Sequence, residues 1–445
     1  MLYNKKNEKN LTDELFKNPT SEFRGAPFWA WNTKLDDKTL EEQIDIFKEM
    51  GIGGFHAHVR TGMATEYLSD EFMHFIKVCN EKAKKEDMLC WLYDEDRWPS
   101  GATGGFVTKN YRHRQRAFHL EPTDPRDREF FAKSYDEYLK MTENNGQCSG
   151  YFISRFGITL DENGFLTDYK RLDENEDYDG DIWYGYMYIG GASGWYNGQS
   201  YIDTLSKAAV EEFVRITYDA YYNAVGEDFG KSIPAIFTDE PQVPMRRYLS
   251  ASNEKKLIAV PYTDDFDETY KSTYGESIIE KMPELFWEKK NNGCAKTRYN
   301  YVDHMCERFV SAFVDTVGEW CIKHNIAFTG HMMQEPTLRS QTDSLGEAMR
   351  CYRNFQLPGM DLLCDRIEYT TAKQVQSAVH QYGREGMLSE LYGVTGWDYN
   401  FRGHKRQGDW QAALGVTIRV HHLTWVSMNG DAKHDYPASI GYQSP

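Results

Sequence analysis

The 445-residue chain has no run near the roughly 20 apolar residues that a membrane-crossing helix needs. Its first fifteen residues, MLYNKKNEKNLTDEL, lack the apolar core of a secretory leader, so a cytoplasmic location is expected. Eight cysteines occur, none in a Cys-x-x-Cys pair. That spacing argues against a disulfide scaffold and for free thiols buried among apolar neighbours. There is no Gly-x-Ser-x-Gly elbow for acyl transfer and no His-Glu-x-x-His zinc motif. A glycine-rich phosphate loop after an early strand is also missing, which removes the usual sign of a doubly wound nucleotide-binding sheet and of an organic cofactor. Positive charge is in deficit: 51 basic against 68 acidic side chains leave a net charge of -17. Neither nucleic acid nor an anionic membrane is an expected partner.

What the chain has in excess is rings. Its 11 Trp, 30 Tyr and 24 Phe make up 15% of the sequence. The order of elements gives them a frame. Apolar strands at 26–32, 53–59 and 88–96 alternate with helices at 36–50 and 69–85. Gly51 ends the first helix and Ser69 caps the second. Such strands read as parallel sheet buried on both faces. The rhythm breaks over 101–200, where Gly, Asn, Asp and Tyr abound and fragments such as GYFISRFGITL read as antiparallel strands. It resumes with a helix at 207–222, a mostly helical stretch at 264–323 and a helix near 404–414. Further strands fall at 232–241, 326–332, 360–366, 386–393 and 416–427. Eight strands with helices between them predict an α/β fold, a (β/α)8 TIM barrel, with a β-rich insertion after the third strand. The expected division is 20–100 for the first part of the barrel, 101–200 for the insertion and 201–445 for the remainder. The acidic tract at 173–181 reads as a solvated loop.

In this architecture chemistry sits at the C-terminal ends of the strands. Those ends carry His56 and His58; Asp94, Glu95 and Asp96; Asp239 and Glu240; His331 with Glu335; Asp361; Glu390; and His421 with His422. Cleavage of a glycosidic bond needs two carboxyl groups, one to protonate the leaving oxygen and one to activate water or attack carbon. Glu240, Glu390 and Glu335 are the catalytic candidates, with Glu240 as general acid and Glu390 as general base. Arg60 and Arg97 are placed to hold hydroxyls, and His56, His58, Asp94, Glu95, Trp98, Asp239, His331, Tyr392, Trp397, Asp398 and His421 to bind substrate. Two other readings stay open. His56 and His58 share one face of a strand and, with His331, would suit a metal-dependent hydrolase. The same mouth would also suit a carbohydrate-binding barrel without catalysis.

Several segments together resemble glycoside hydrolase family 106, which contains α-L-rhamnosidases, and its relatives. They are FWAWN (28–32), GIGGFHAHVRTGM (51–63), YLS (67–69), YDEDRWPSGATGG (93–105), FTDEP (237–241), GHMMQE (330–335), SELYGVTGWD (389–398) and KRQGDWQAALGV (405–416). The resemblance implies a barrel glycosidase acting with inversion on an oligosaccharide or glycoside, with Glu240 and Glu390 in or beside the site. It also implies a calcium ion near the substrate, which Glu335 would help to hold. Members of that family are usually longer, with β-rich domains after the barrel, so this chain is expected either to be a fragment of a longer multidomain protein or to lack those domains. The rings then acquire a place: an aromatic-lined, acidic cleft at the barrel mouth, partly roofed by 101–200.

Overall fold

The computed structural model describes residues 12–433 and 435–441. Residues 1–11, which carry most of the leader reading, lie outside the described residues. No described helix is long and apolar enough to cross a membrane. All eight cysteines are free, and only Cys364 is exposed.

The expected barrel is present. Its strands are Phe28–Trp31, Gly54–Val59, Leu89–Tyr93, Ala235–Asp239, Ala327–His331, Leu357–Leu362, Leu388–Leu391 and Ile418–His421. Each pairs in parallel with the next. The eighth is interrupted: Ile418–His421 pairs with the seventh strand, and a two-residue continuation, Thr424–Trp425, pairs with the first and closes the circle. The sixth strand starts three residues earlier than the sequence suggests, because Pro358 and Gly359, residues that usually mark a turn, lie inside it.

Side-chain parity separates two cores. Phe28, Ala30, Trp91, Tyr93, Ala235, Phe237, Ala327, Leu357, Leu388, Ile418 and Val420 fill the barrel interior. Their neighbours Trp29, Trp31, Phe55, Ala57, Leu92, Ile236 and Phe328 face outward and pack under helices. Helix Asp37–Glu49 starts where the Asp36 side chain accepts from Thr39 N–H, and helix Asp70–Glu86 where Ser69 accepts from Phe72 N–H. Gly51, at φ +81°, turns the chain after the first of these.

A second sheet stands beside the barrel mouth. Five of its six strands, Arg116–Glu121, Phe131–Ala132, Gly150–Leu160, Leu166–Leu172 and Asp181–Ile189, come from the insertion. The sixth, Ile258–Pro261, comes from the connection after the fourth barrel strand and pairs antiparallel with Arg116–Glu121. No strand is expected there from the sequence.

Candidate active site

Parity explains which side chains meet at the mouth. Inward positions one step beyond the apolar interior belong to Asp239, His331, Asp361 and Glu390. His331 stands in register with Asp239 on the neighbouring strand, and Asp361 with Glu390. His331 Nε2 lies 3.2 Å from Asp239 Oδ1, and its Nδ1 lies 3.8 Å from Glu390 Oε2. Tyr93 Oη donates to Asp239 Oδ2 at 2.7 Å. Glu240, one residue past its strand, has φ +46°, a strained conformation for a side chain of this size. Its Oε2 accepts from Trp98 Nε1 at 2.5 Å.

Asp239, Glu240, Asp361 and Glu390 line a cavity of about 360 Å³ together with Arg60, Arg97, Trp98, Trp195, His422 and Asp435. Trp195 reaches in from the insertion, its Nε1 donating to the Trp98 carbonyl at 2.5 Å. Arg60 is held by Asp435, with Nε 2.5 Å from Oδ2. The cavity therefore combines indole groups with carboxyl groups.

Crowding sets the protonation states. Burial pushes Glu240 up to about 8, helped by the charges of Asp361 and Asp239 and opposed by His331. Burial likewise raises Asp361 to about 7, with Glu335 and Asp239 adding repulsion. Glu390 is raised well above the usual carboxyl range by burial and by Asp361 beside it. Adjacent carboxyl groups in a dry site cannot both ionise freely, so Asp361 and Glu390 are best treated as a pair sharing protons. Asp239 goes the other way: burial works upward, but the His331 hydrogen bond and charge and the Arg60 charge hold it below the usual range. His331 is raised well above normal; burial works against this, and Asp239, Asp361 and Glu390 outweigh it. The centre is an imidazolium–carboxylate pair surrounded by protonatable acids.

The remaining candidates are distributed elsewhere. His56 and His58 lie deeper in the interior and are fully buried. His56 stacks on Trp91 at 5.1 Å and His58 on Phe28 at 4.4 Å. Burial pushes His56 down to about 3 and His58 well below normal. They are a neutral aromatic floor under the acids. Asp94 faces outward, accepting from Ser100 Oγ at 2.5 Å and Tyr218 Oη at 2.7 Å. Glu95 accepts four backbone N–H bonds, from Asp96, Gly101, Thr103 and Gly104, at 2.6–2.9 Å. Burial pushes its carboxyl up against the pull of those donors. Glu335 braces two strands, accepting from Tyr352 Oη at 2.8 Å and Asp361 N–H at 3.1 Å. Burial raises it, against His331. Tyr392 is buried against His404 and His421. Trp397 is 60% exposed and stacks on Trp425, and Asp398 is exposed. None of these residues lines the cavity. His421 faces away, its ring packed over Gly25, and its neighbour His422 lines the cavity instead.

Among the described residues, two groups of side chains have the spacing of metal ligands. Ligand atoms of Asp239, His331 and Glu390 lie within 4.8 Å of one another, as do those of Glu240, His331 and Asp361. Both sets centre on an imidazole, which is a poor ligand for calcium and a good one for transition metals. The donor set thus does not fit the calcium ion expected from the resemblance. Nor does it include His56 or His58.

No protein-family profile and no curated protein matches the chain in sequence. Among solved structures, the rhamnosidase from Novosphingobium sp. PP1Y superposes with a TM-score of 0.66 at 12% identity. The likeness is one of fold. It covers 98% of this chain and 59% of that one, so this chain spans about three fifths of the length of the enzyme it matches. The β-galactosidase from Halorubrum lacusprofundi aligns over 90% of this chain and 52% of its own, at 10% identity and a TM-score of 0.47, too low to carry an argument.

Proposed function

We propose that the protein is a glycoside hydrolase acting at the barrel mouth. The observation that carries this reading is the presence of Glu240 and the Asp361/Glu390 pair in one aromatic-walled cavity. Glu240, held protonated near neutral pH, is the general acid that gives its proton to the leaving oxygen. Its indole partner Trp98 fixes the carboxyl plane. Glu390 is the base, acting in the form of the Asp361/Glu390 pair that has lost one proton and taking a proton from water as the water attacks the anomeric carbon. Asp239 and His331 orient both acids, and Arg60 and Arg97 hold hydroxyls. Inversion, and an α-L-rhamnoside as substrate, are the finer reading. The eight-segment resemblance and the fold shared with the Novosphingobium enzyme support it.

The test is a panel of aryl glycosides and disaccharides that includes α-L-rhamnosides. Glu240→Gln should lower kcat on a disaccharide roughly 100- to 10,000-fold with the fold unchanged. Unaltered turnover refutes the assignment. Proton NMR of the first-formed sugar reports inversion or retention. A second reading follows from the ligand-like spacing around His331: a metal-assisted hydrolase using Asp239, His331 and Glu390. Stoichiometric zinc or another transition metal in the purified protein, with activity lost on chelation, would favour it over acid–base catalysis.

A further inference from the structure

A second cavity, of about 380 Å³, lies between the outer sheet and the segment that leaves the fourth barrel strand. Two stretches of chain wall both cavities. Trp195 lines the catalytic one and Tyr196 the second; Glu240 lines the catalytic one and Gln242 to Met245 the second. Tyr201 ties these stretches together, its Oη accepting from Gln242 N–H at 3.3 Å and donating to the Ser100 carbonyl at 2.7 Å.

The electrostatics of the second cavity are opposite to those of the first. No lining residue is Asp or Glu, in a chain whose net charge is -17. Its cations are Arg116 and Arg247. Arg116 is neutralised: it is buried and its Nε lies 2.8 Å from Asp264. Arg247 is exposed, and no carboxylate of the described residues lies within 4.0 Å of its guanidinium. Its backbone is nevertheless fixed, paired both ways with Ala259 at the edge of the outer sheet. His119 stacks face to face on Tyr188 at 4.6 Å, with an interplanar angle of 4°. Burial, with Arg247 and Arg128, pushes His119 down to about 3, so it adds no charge. The result is a half-open aromatic platform beside one uncompensated guanidinium whose backbone is bridged to the sheet edge.

We propose that this second cavity recognises an anionic sugar on the leaving-group side of the scissile bond, through stacking on Tyr188 and a bidentate contact from Arg247. The inference rests on the glycosidase reading, because Glu240, the proton donor to the leaving group, is on the segment that continues into this wall. A guanidinium fork matches a carboxylate or a sulfate ester. Natural substrates would then be acidic oligosaccharides, and small neutral glycosides would lack one anchoring contact.

Binding is measured by calorimetry on the Glu240→Gln protein, so that ligand is not consumed. The probes are oligogalacturonides of two to four units for carboxylate, sulfated chondroitin disaccharides for sulfate, and cello-oligosaccharides as the neutral control. One anionic class should bind at least ten times tighter than the neutral control. Arg247→Gln should remove that preference and Arg247→Lys should restore part of it. Equal binding of neutral and anionic probes, no binding of either anionic class, or an Arg247→Gln protein that binds like its parent would each overturn the proposal. Failure of the catalytic reading is distinguishable. Acidic binding without turnover of any glycoside defeats hydrolysis alone, and equal kcat/KM on neutral and acidic glycosides defeats this inference alone.

Discussion

Glu95 offers a sharp test, because the sequence marks it as a substrate ligand and the structure gives it another task. Its two oxygens accept N–H bonds from Asp96, Gly101, Thr103 and Gly104, and all of the carboxylate's capacity is spent on the turn that follows the third strand. Glu95→Ala would orphan four N–H donors in a buried turn. An unsatisfied buried donor costs about 1–3 kcal/mol, and water entering the vacated space would relieve some of this, so the expected loss is about 4 kcal/mol. Glu95→Gln should cost about half as much, since its amide nitrogen must face donors with a donor. With a urea slope of roughly 3 kcal/mol/M for a chain of this size, Glu95→Ala should lower the unfolding midpoint by about 1 M. The turn also carries Arg97 and Trp98 into the catalytic cavity, so activity should fall with stability. A midpoint shift under about 0.3 M would refute the reasoning. So would a stable variant impaired only in KM, which would return Glu95 to the substrate.

The pH dependence of kcat/KM should be a narrow bell. Glu240 must be protonated, so rate falls above about 8. The Asp361/Glu390 pair must have lost a proton, so rate falls below about 7. A flat profile from pH 5 to 9 would count against this pairing of acid and base. Asp435→Asn should lower stability by about 3 kcal/mol, since it leaves Arg60 charged and poorly hydrated. The Asp435 carboxyl is held below its usual range: burial works upward, but Arg60 and His422 outweigh it. Its stabilising contribution is therefore present above the unfolded carboxyl range and lost as pH falls through the folded value. Thermal melts of both proteins at pH 7 and pH 3 should converge at the lower pH.

The barrel was legible because each strand is a short apolar run bounded by turn residues, and parallel sheet buried on both faces leaves that mark in sequence. The acids at the strand ends were legible for the same reason: a charge closing an apolar run is conspicuous. Which way they point was harder. Asp94 and Glu95 sit beside inward-facing Tyr93 but turn out into the following loop. At the eighth strand the sequence points to His421 and the structure to His422, because the break between Ile418–His421 and Thr424–Trp425, which no composition signal marks, falls at this pair. His56 and His58 have the correct parity but lie one layer too deep. Asp435, Trp195 and Arg247 come from irregular segments with no period to read.

The strand Ile258–Pro261 binds the connection after Glu240 to the outer sheet. The roof over the mouth is thus stitched to the catalytic strand by an element from a different part of the chain. Exchange of residues 101–200 alone for a relative's insertion would remove Arg116–Glu121 and leave Ile258–Pro261 without its native partner strand. New specificity in this scaffold has to be transplanted as two cassettes, the insertion and the 240–261 connection, which obliges specificity and proton delivery to evolve together.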